Sequence, residues 1–140
     1  MKKIVLLLVI VLVFAAMSVM LFACTTKVAG KDWELESFDV TGDGLTEEQI
    51  ATIKTYVESI YKDAVLTFNK DGTMEYKMGS LSEKAYYVQD GKNIYVSETE
   101  DVKTDGDPEF TVEGKKIIWE KSDTAYGKSF TVKMTIVQKK

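Results

Sequence analysis

The alternation of apolar and polar residues constrains the fold of this chain most strongly. From Ala64 onward, apolar side chains recur at every second position, as in Met74, Tyr76 and Met78, with polar or charged residues between them. Successive side chains of a β-strand point to opposite faces, so a period of two predicts strands with one buried and one solvated face. The chain should therefore be mainly β.

Glycine-containing turns separate the alternating runs. Asp71-Gly72, Asp90-Gly91 and Glu113-Gly114 each lie between two strand-like segments, and glycine readily adopts the positive φ of hairpin turns. The predicted strands are one around Trp33 and Leu35, then Val65–Phe68, Thr73–Met78, Lys84–Val88, Ile94–Glu98, Glu109–Val112, Lys116–Lys121 and Ser129–Gln138. Sequential hairpins predict an antiparallel up-and-down meander, and about eight strands suffice to close a barrel. A curved open sheet or a two-layer sandwich is the alternative.

One amphipathic helix is predicted after the first strand. Thr46 is placed as its N-cap, with Gln49 as the partner in a capping box and Leu45 and Ile50 as a hydrophobic staple. Apolar residues then recur at helical spacing at Ile50, Ile53, Val57, Ile60 and Tyr61. The helix should run from about Glu47 to Lys62 and cover one side or end of the sheet.

The N-terminus has the pattern of an export signal. Two lysines follow Met1, an apolar run extends from Ile4 to Ala23, and the only cysteine of the chain, Cys24, comes next. Leu21-Phe22-Ala23-Cys24 resembles the lipobox of bacterial lipoproteins, which implies that Cys24 carries a diacylglycerol and becomes the first mature residue. The expected organisation is a signal peptide over 1–23, a lipidated and mobile tether over 24–29, and a barrel domain over 30–140. An uncleaved anchor is the alternative, because 20 helical residues span about 30 Å.

The charge balance limits the partners of the exported part. Residues 24–140 contain 16 lysines, 22 acidic residues and no arginine, which gives a net charge of −6. This balance opposes binding to nucleic acid and to anionic lipid surfaces. The expected membrane attachment is therefore through lipidated Cys24, with the domain facing outside the cytoplasm.

The exported part also resembles the lipocalin-like domains of bacterial lipoproteins. The resemblance rests on Gly30 and Trp33 at the opening of the first strand, on a helix soon after it, and on a meander with Asn/Asp-Gly turns. Two residues separate Gly30 from Trp33 where lipocalins usually have one, and the arginine that often packs over the tryptophan is absent. The resemblance implies a lipocalin-like barrel that could bind a small hydrophobic ligand, without naming that ligand.

Aromatic and methionine residues are the candidates for a ligand site. Methionine adapts to irregular apolar partners, and tyrosine adds a polar group to an apolar wall. The candidate residues for lining a cavity or core are Trp33, Met74, Tyr76, Met78, Tyr95, Phe110, Trp119, Phe130 and Met134. A barrel of eight short strands can be filled by its own side chains, so a filled core is the favoured interpretation and a ligand cavity the alternative.

Catalytic and metal chemistry find little support in the sequence. There is no histidine, no arginine and one cysteine that is expected to be acylated, so the commonest general base is missing. Asp39–Gly44 begins like a calcium loop, but Ile50 occupies the position of the bidentate glutamate. We therefore expect no enzyme activity, no cofactor and no metal. The alternative to ligand binding is a protein-interaction or adaptor domain with a filled core, whose exposed Tyr86-Tyr87 or acidic loop would contact a partner.

Overall fold

The computed structural model describes residues 25–140, so the predicted signal peptide and Cys24 lie outside the described residues. Eight antiparallel strands form a closed barrel in which each strand pairs with its neighbours in sequence and β1 pairs with β8. The strands are β1 (Lys31–Thr41), β2 (Val65–Phe68), β3 (Thr73–Met78), β4 (Leu81–Asp90), β5 (Asn93–Ser97), β6 (Phe110–Glu113), β7 (Lys116–Ala125) and β8 (Lys128–Gln138). The predicted meander and its closure are confirmed. All of the strand pairing lies between Lys31 and Gln138 and is complete within the described residues.

The predicted helix, α1, spans Glu47–Tyr61 and connects β1 to β2. Thr46 caps it: the Thr46 side chain accepts from the Gln49 backbone, and the Gln49 side chain accepts from the Thr46 backbone. Ile53 and Val57 are buried and join the barrel core. The capping box and the apolar stripe predicted from the sequence are therefore both present.

Strand β1 contains a β-bulge at Glu36, which is an extra residue in its pairing with β8. Leu35 pairs with Ile136 and Ser37 pairs with Thr135, so Glu36 has no partner in the register. An extra residue reverses which positions of a strand face inward. The bulge explains why the apolar positions of β1 change from Trp33 and Leu35 to Phe38 and Val40.

The two ends of the barrel differ in their connections. We call the end that carries the β2–β3, β4–β5 and β6–β7 turns, together with the start of β1 and the end of β8, the closed end. The opposite end, which we call the open end, carries both connections of α1, the β3–β4 and β7–β8 turns and the loop 98–109.

The hairpin of β7 and β8 is longer than the sequence pattern predicts. The two strands pair without interruption from Lys116 with Val137 to Ala125 with Lys128. Tyr126 and Gly127 form the turn, and both have positive φ, as a two-residue type I′ hairpin requires. The strand was predicted to stop at Lys121 because polar residues on both faces obscure the period of two beyond that point.

The segment predicted as a mobile tether is docked on the closed end. Val28 has no exposed surface, and its backbone N–H donates to Gln89 Oε1 at 3.0 Å. Thr26 donates to the Gly114 carbonyl oxygen and accepts from Gln89 Nε2. The expectation of mobility is therefore wrong for residues 26–28, which we call the N-terminal strap.

Candidate ligand cavity

The barrel interior is filled at the closed end. Five large side chains there have less than 2% of their surface exposed, namely Trp33, Phe68, Ile94, Ile117 and Val28. Phe68 makes edge-to-face contacts with Tyr87 and Phe110, with ring centroids 4.9 and 6.2 Å apart. Such pairs add to the stabilisation from burial. This half of the barrel is a packed core, as the filled interpretation of the sequence expected.

A cavity of about 710 Å³ occupies the other half and reaches the open end. Its lining residues are Trp33, Leu35, Tyr61, Ala64, Leu66, Met74, Tyr76, Met78, Glu83, Lys84, Ala85, Val96, Glu98, Glu109, Phe110, Trp119, Met134 and Ile136. Apolar and aromatic side chains dominate this set, and the four charged residues belong to β4, to the loop 98–109 and to its borders. The barrel thus combines a filled half with an open one.

The floor of the cavity is held by the N-terminal strap. Trp33 donates its indole N–H to the Val28 carbonyl oxygen at 3.4 Å, so the polar atom of this buried ring has a partner. Phe110 and Met74 complete the floor and are themselves buried. Because the strap closes the barrel below Trp33, the cavity has its opening at the other end.

One wall of the cavity is formed by β3. Met74, Tyr76 and Met78 share the inner face of this strand, and the Tyr76 hydroxyl donates to Met78 Sδ. Burial raises the pKa of Tyr76, and the neighbouring Tyr61 hydroxyl and the Glu83 carboxylate raise it further. The phenol is therefore neutral near pH 7, and this wall is uncharged.

A second part of the lining is an aromatic pair from α1 and β7, which adjoins the β3 wall at Tyr61. Trp119 and Tyr61 lie with ring centroids 6.0 Å apart and planes inclined by 46°. The Trp119 indole N–H donates to Glu109 Oε1 at 2.7 Å, and Lys121 donates to Glu109 Oε2 at 2.8 Å. These bonds give the indole N–H a partner and balance the Glu109 charge, so they fix the position of the Trp119 ring in the cavity lining.

The rim of the cavity is polar and accessible to solvent. Glu83, Lys84 and Glu98 line it and are exposed. Within residues 25–140, none of these three side chains takes part in an ion pair. An apolar cleft with few polar groups at its mouth is the usual composition of a small-molecule site.

Seven of the nine residues predicted to line a cavity or core lie around this cavity. They are Trp33, Met74, Tyr76, Met78, Phe110, Trp119 and Met134. Tyr95 is 8% exposed but lies on the strand face opposite Ile94 and Val96, where its hydroxyl accepts from Asn93 Nδ2 at 3.4 Å. Phe130 is partly buried against the core and does not line the cavity.

Several lining residues were missing from the sequence prediction. Leu66, Val96 and Ile136 each lie two residues from another inward-facing apolar residue, namely Phe68, Ile94 and Met134, and could have been found from the period of two. Tyr61 is the last apolar residue of the helical stripe, and only the fold brings it to Trp119. The rim carboxylates carry no sequence signal that separates them from other surface residues.

One proposed interaction surface is also corrected. Tyr87 is 7% exposed, and its hydroxyl donates to the Asn69 carbonyl oxygen at 2.7 Å. Tyr86 is partly buried on the other face of β4. Tyr86-Tyr87 is therefore not an exposed aromatic pair, and the adaptor hypothesis loses this support.

Neither a metal-binding cluster nor a membrane-spanning helix is present within residues 25–140. No group of three or more Cys, Asp or Glu side chains within residues 25–140 is arranged to hold a metal ion. In that part of the chain, no helix has the length and apolar character needed to cross a membrane. Asp39, from the calcium-like stretch, instead pairs with Lys54 at 3.3 Å.

Comparisons with protein-family models, curated proteins and solved structures found no match to this chain. The cavity, the charges around it and the N-terminal sequence are therefore the features of this chain that point to a function.

Proposed function

We propose that this protein is a membrane-anchored extracytoplasmic lipoprotein whose lipocalin-like barrel binds a small hydrophobic ligand. The cavity is the observation that carries the proposal. Its volume of about 710 Å³ lies within the range of roughly 300–1,000 Å³ that is usual for small-molecule sites. In this function the barrel is a carrier or receptor and not an enzyme.

The lining favours a ligand with an apolar body. Leu35, Leu66 and Ile136 present aliphatic surface, and Met74 and Met78 can adjust to an irregular shape. Each buried methylene of a ligand would contribute about 0.8 kcal/mol. The flat faces of Tyr61 and Trp119 would suit a ring or an unsaturated chain.

The rim favours a polar group at one end of the ligand. Glu83, Lys84 and Glu98 are at the mouth, where a polar group could remain in water while the apolar body is buried. Both signs of charge are present, so the rim does not specify an anion or a cation. A small amphipathic molecule inserted with its apolar end toward Trp33 fits this arrangement.

The membrane part of the proposal rests on the N-terminal sequence. The Leu21-Phe22-Ala23-Cys24 stretch supports lipid attachment at Cys24, and two acyl chains on one cysteine provide stable anchoring where a single chain does not. In the producing host, Cys24→Ser should abolish acyl labelling and the processing that depends on it. Stable membrane attachment of a processed Cys24→Ser protein would refute the lipoprotein assignment.

Ligand binding is tested by filling the cavity. The pair Ala85→Phe and Val88→Phe adds the same ring to two positions of β4, of which Ala85 lines the cavity and Val88 is exposed. Residues 25–140 contain the whole barrel and can be titrated with the neutral probe N-phenyl-1-naphthylamine. Ala85→Phe should weaken binding by at least about tenfold, equivalent to about 1.4 kcal/mol, whereas Val88→Phe should not.

Native mass spectrometry of the protein purified from its own host identifies the physiological ligand. A small molecule that co-purifies with the wild type and the Val88→Phe variant, and is lost from the Ala85→Phe variant, would support the proposal. Equal probe binding by both variants, with only ligand-free protein recovered, would count against it.

A further inference from the structure

Charge is divided unequally between the two ends of the barrel. Six exposed lysines lie at the closed end, and within residues 25–140 none of them is in an ion pair: Lys27, Lys70, Lys92, Lys115, Lys139 and Lys140. The acidic side chains at this end are fewer, namely Asp32, Asp71, Asp90, Glu113 and Glu36, of which Glu36 is paired with Lys116. The closed end is therefore locally basic although the exported part has a net charge of −6.

The open end has the opposite charge. The loop 98–109 and its borders contribute six acidic residues, Glu98, Glu100, Asp101, Asp105, Asp107 and Glu109, and a single lysine, Lys103. Lys103 pairs with Asp101 at 2.7 Å. Glu47 and Glu48 in the first turn of α1 add further negative charge, as do Asp43, Asp63 and Glu83. The acidic residues of this end thereby outnumber its other lysines, Lys62, Lys77, Lys84 and Lys128. Negative charge thus opposes contact with anionic surfaces at the open end and not at the closed end.

The N-terminal strap lies on the closed end of the barrel and leads from there to Cys24, the proposed site of membrane attachment. Thr26 is fixed to the β6–β7 turn by its bond to the Gly114 carbonyl oxygen at 2.6 Å. Cys24 precedes Thr26 by two residues, which span at most about 7 Å of extended chain. An anchor at or before Cys24 would therefore hold the closed end, with its lysines, close to the lipid surface.

We propose that the closed end of the barrel docks on the anionic surface of the membrane, so that the mouth of the cavity points away from the bilayer. The inference rests on the membrane anchoring proposed above and adds an orientation to it. Lysines within a Debye length of anionic lipids, about 10 Å at 0.1 M salt, are attracted to them. The acidic open end is repelled by the same surface, so both ends favour one orientation.

This orientation has a consequence for ligand exchange. The N-terminal strap and the side chains packed around Trp33 separate the cavity from the closed end. A ligand would then enter from the aqueous side and not directly from the adjacent bilayer. The protein would present its binding site to molecules in the extracytoplasmic space.

Lysine protection on vesicles tests the orientation in the full chain. The protein is added from detergent to preformed vesicles of phosphatidylcholine alone or with about 30% phosphatidylglycerol, then briefly acetylated and digested for mass spectrometry. On the anionic vesicles, modification of Lys27, Lys92 and Lys115 should fall at least about threefold relative to the neutral vesicles. Lys62 and Lys103 at the open end serve as internal references and should not change.

Salt and charge reversal provide the controls. Raising the salt concentration from 0.1 to 0.5 M should remove the protection, because the Debye length shortens. The triple variant K70E/K92E/K115E should lose it, whereas K62E/K77E/K103E, with the same change in net charge, should retain it. Protection of the open-end lysines, equal protection at both ends, or no difference between the two vesicle types would overturn the proposal.

The same experiment separates docking from lipid attachment. Cys24→Ser removes the acylation site and leaves the apolar segment 4–23 as an anchor. Closed-end protection that persists in Cys24→Ser supports docking whether or not the wild type is acylated. Acylation of the wild type without any closed-end protection would support the lipoprotein assignment and refute the orientation.

Discussion

Trp33 and Val28 are both completely buried, and the indole N–H of Trp33 donates to the carbonyl oxygen of Val28. Trp33 follows Val28 by five positions. The chain turns between them at Gly30, which has a positive φ of 74° and donates to the Phe68 carbonyl oxygen. The contact joins the N-terminal strap to the floor of the cavity. It thereby links the N-terminal end of the described residues to the lining of the cavity.

Gln89 should be the residue on which docking of the strap depends most. Its side chain accepts from the Val28 N–H and donates to the carbonyl oxygens of Thr26 and Gly91. Gln89→Ala leaves these groups without their partner and should lower the free energy of unfolding by about 1–3 kcal/mol. Urea unfolding of residues 25–140 measures the change. Gln138→Ala, at an exposed position of the closed end, is the control, and an equal loss in both variants would contradict this role.

A substitution in the β7–β8 turn should stabilise the folded protein. Tyr126 is the only non-glycine residue with positive φ among residues 25–140, and it is 57% exposed. Asparagine tolerates this conformation and is favoured in type I′ turns, so Tyr126→Asn should raise the free energy of unfolding by about 0.5–1 kcal/mol. Tyr126→Ala also removes the exposed ring but retains the backbone strain. Thermal unfolding should show stabilisation by asparagine and not by alanine, and an equal gain from both would contradict the backbone explanation.

Two threonines of the α1 region, one at the N-cap and one within the helix, form a matched pair for testing the cap. Thr46 accepts from the Gln49 N–H at the N-cap, whereas Thr52 donates to the Glu48 carbonyl oxygen within the helix. Thr46→Ala should lower the free energy of unfolding by about 1 kcal/mol. Thr52→Ala replaces a β-branched residue with a better helix former, so it should leave stability unchanged or raise it slightly. Chemical denaturation of both variants checks the difference, and a larger loss for Thr52→Ala would be inconsistent with the capping box.

Local signals explain why the helix and the strands could be predicted. The capping box of Thr46 and Gln49 depends on residues three positions apart, and each strand face repeats every second residue. Barrel closure followed from the number of strands and from the absence of long connections between most of them. These features require no knowledge of contacts between distant residues.

The cavity and the strap depend on contacts that the sequence pattern does not encode. Val28 is held by Gln89, 61 residues away, and neither residue stands out among its neighbours. Whether inner side chains fill a barrel depends on the volume that its strands enclose, which period-two patterning leaves undetermined. The bulge at Glu36 likewise changes the inward face of β1 without a distinctive residue type; Glu36 is noticeable only through its ion pair with Lys116 at 2.6 Å.

Tyr76 should make the stability of the barrel sensitive to alkaline pH. Burial raises the pKa of Tyr76 above the ordinary value of 10.0, and Tyr61 and Glu83 act in the same direction. The folded state therefore holds this proton at a pH where the unfolded chain has released it. By linkage, the corresponding stability is fully present below about pH 10 and declines as the pH rises from there toward the folded-state pKa.

The variant Tyr76→Phe removes the titrating hydroxyl and retains the ring of the cavity wall. The decrease in the urea midpoint between pH 9 and pH 11 should accordingly be smaller in Tyr76→Phe than in the wild type. Burial also raises the pKa of Tyr87, so a residual decrease should remain until Tyr87→Phe is added. Tyr126→Phe, at the exposed turn, provides the comparison. A decrease that Tyr76→Phe leaves unchanged would show that this phenol does not sense the low polarity of the cavity, and the wall of the site would then be accessible to water.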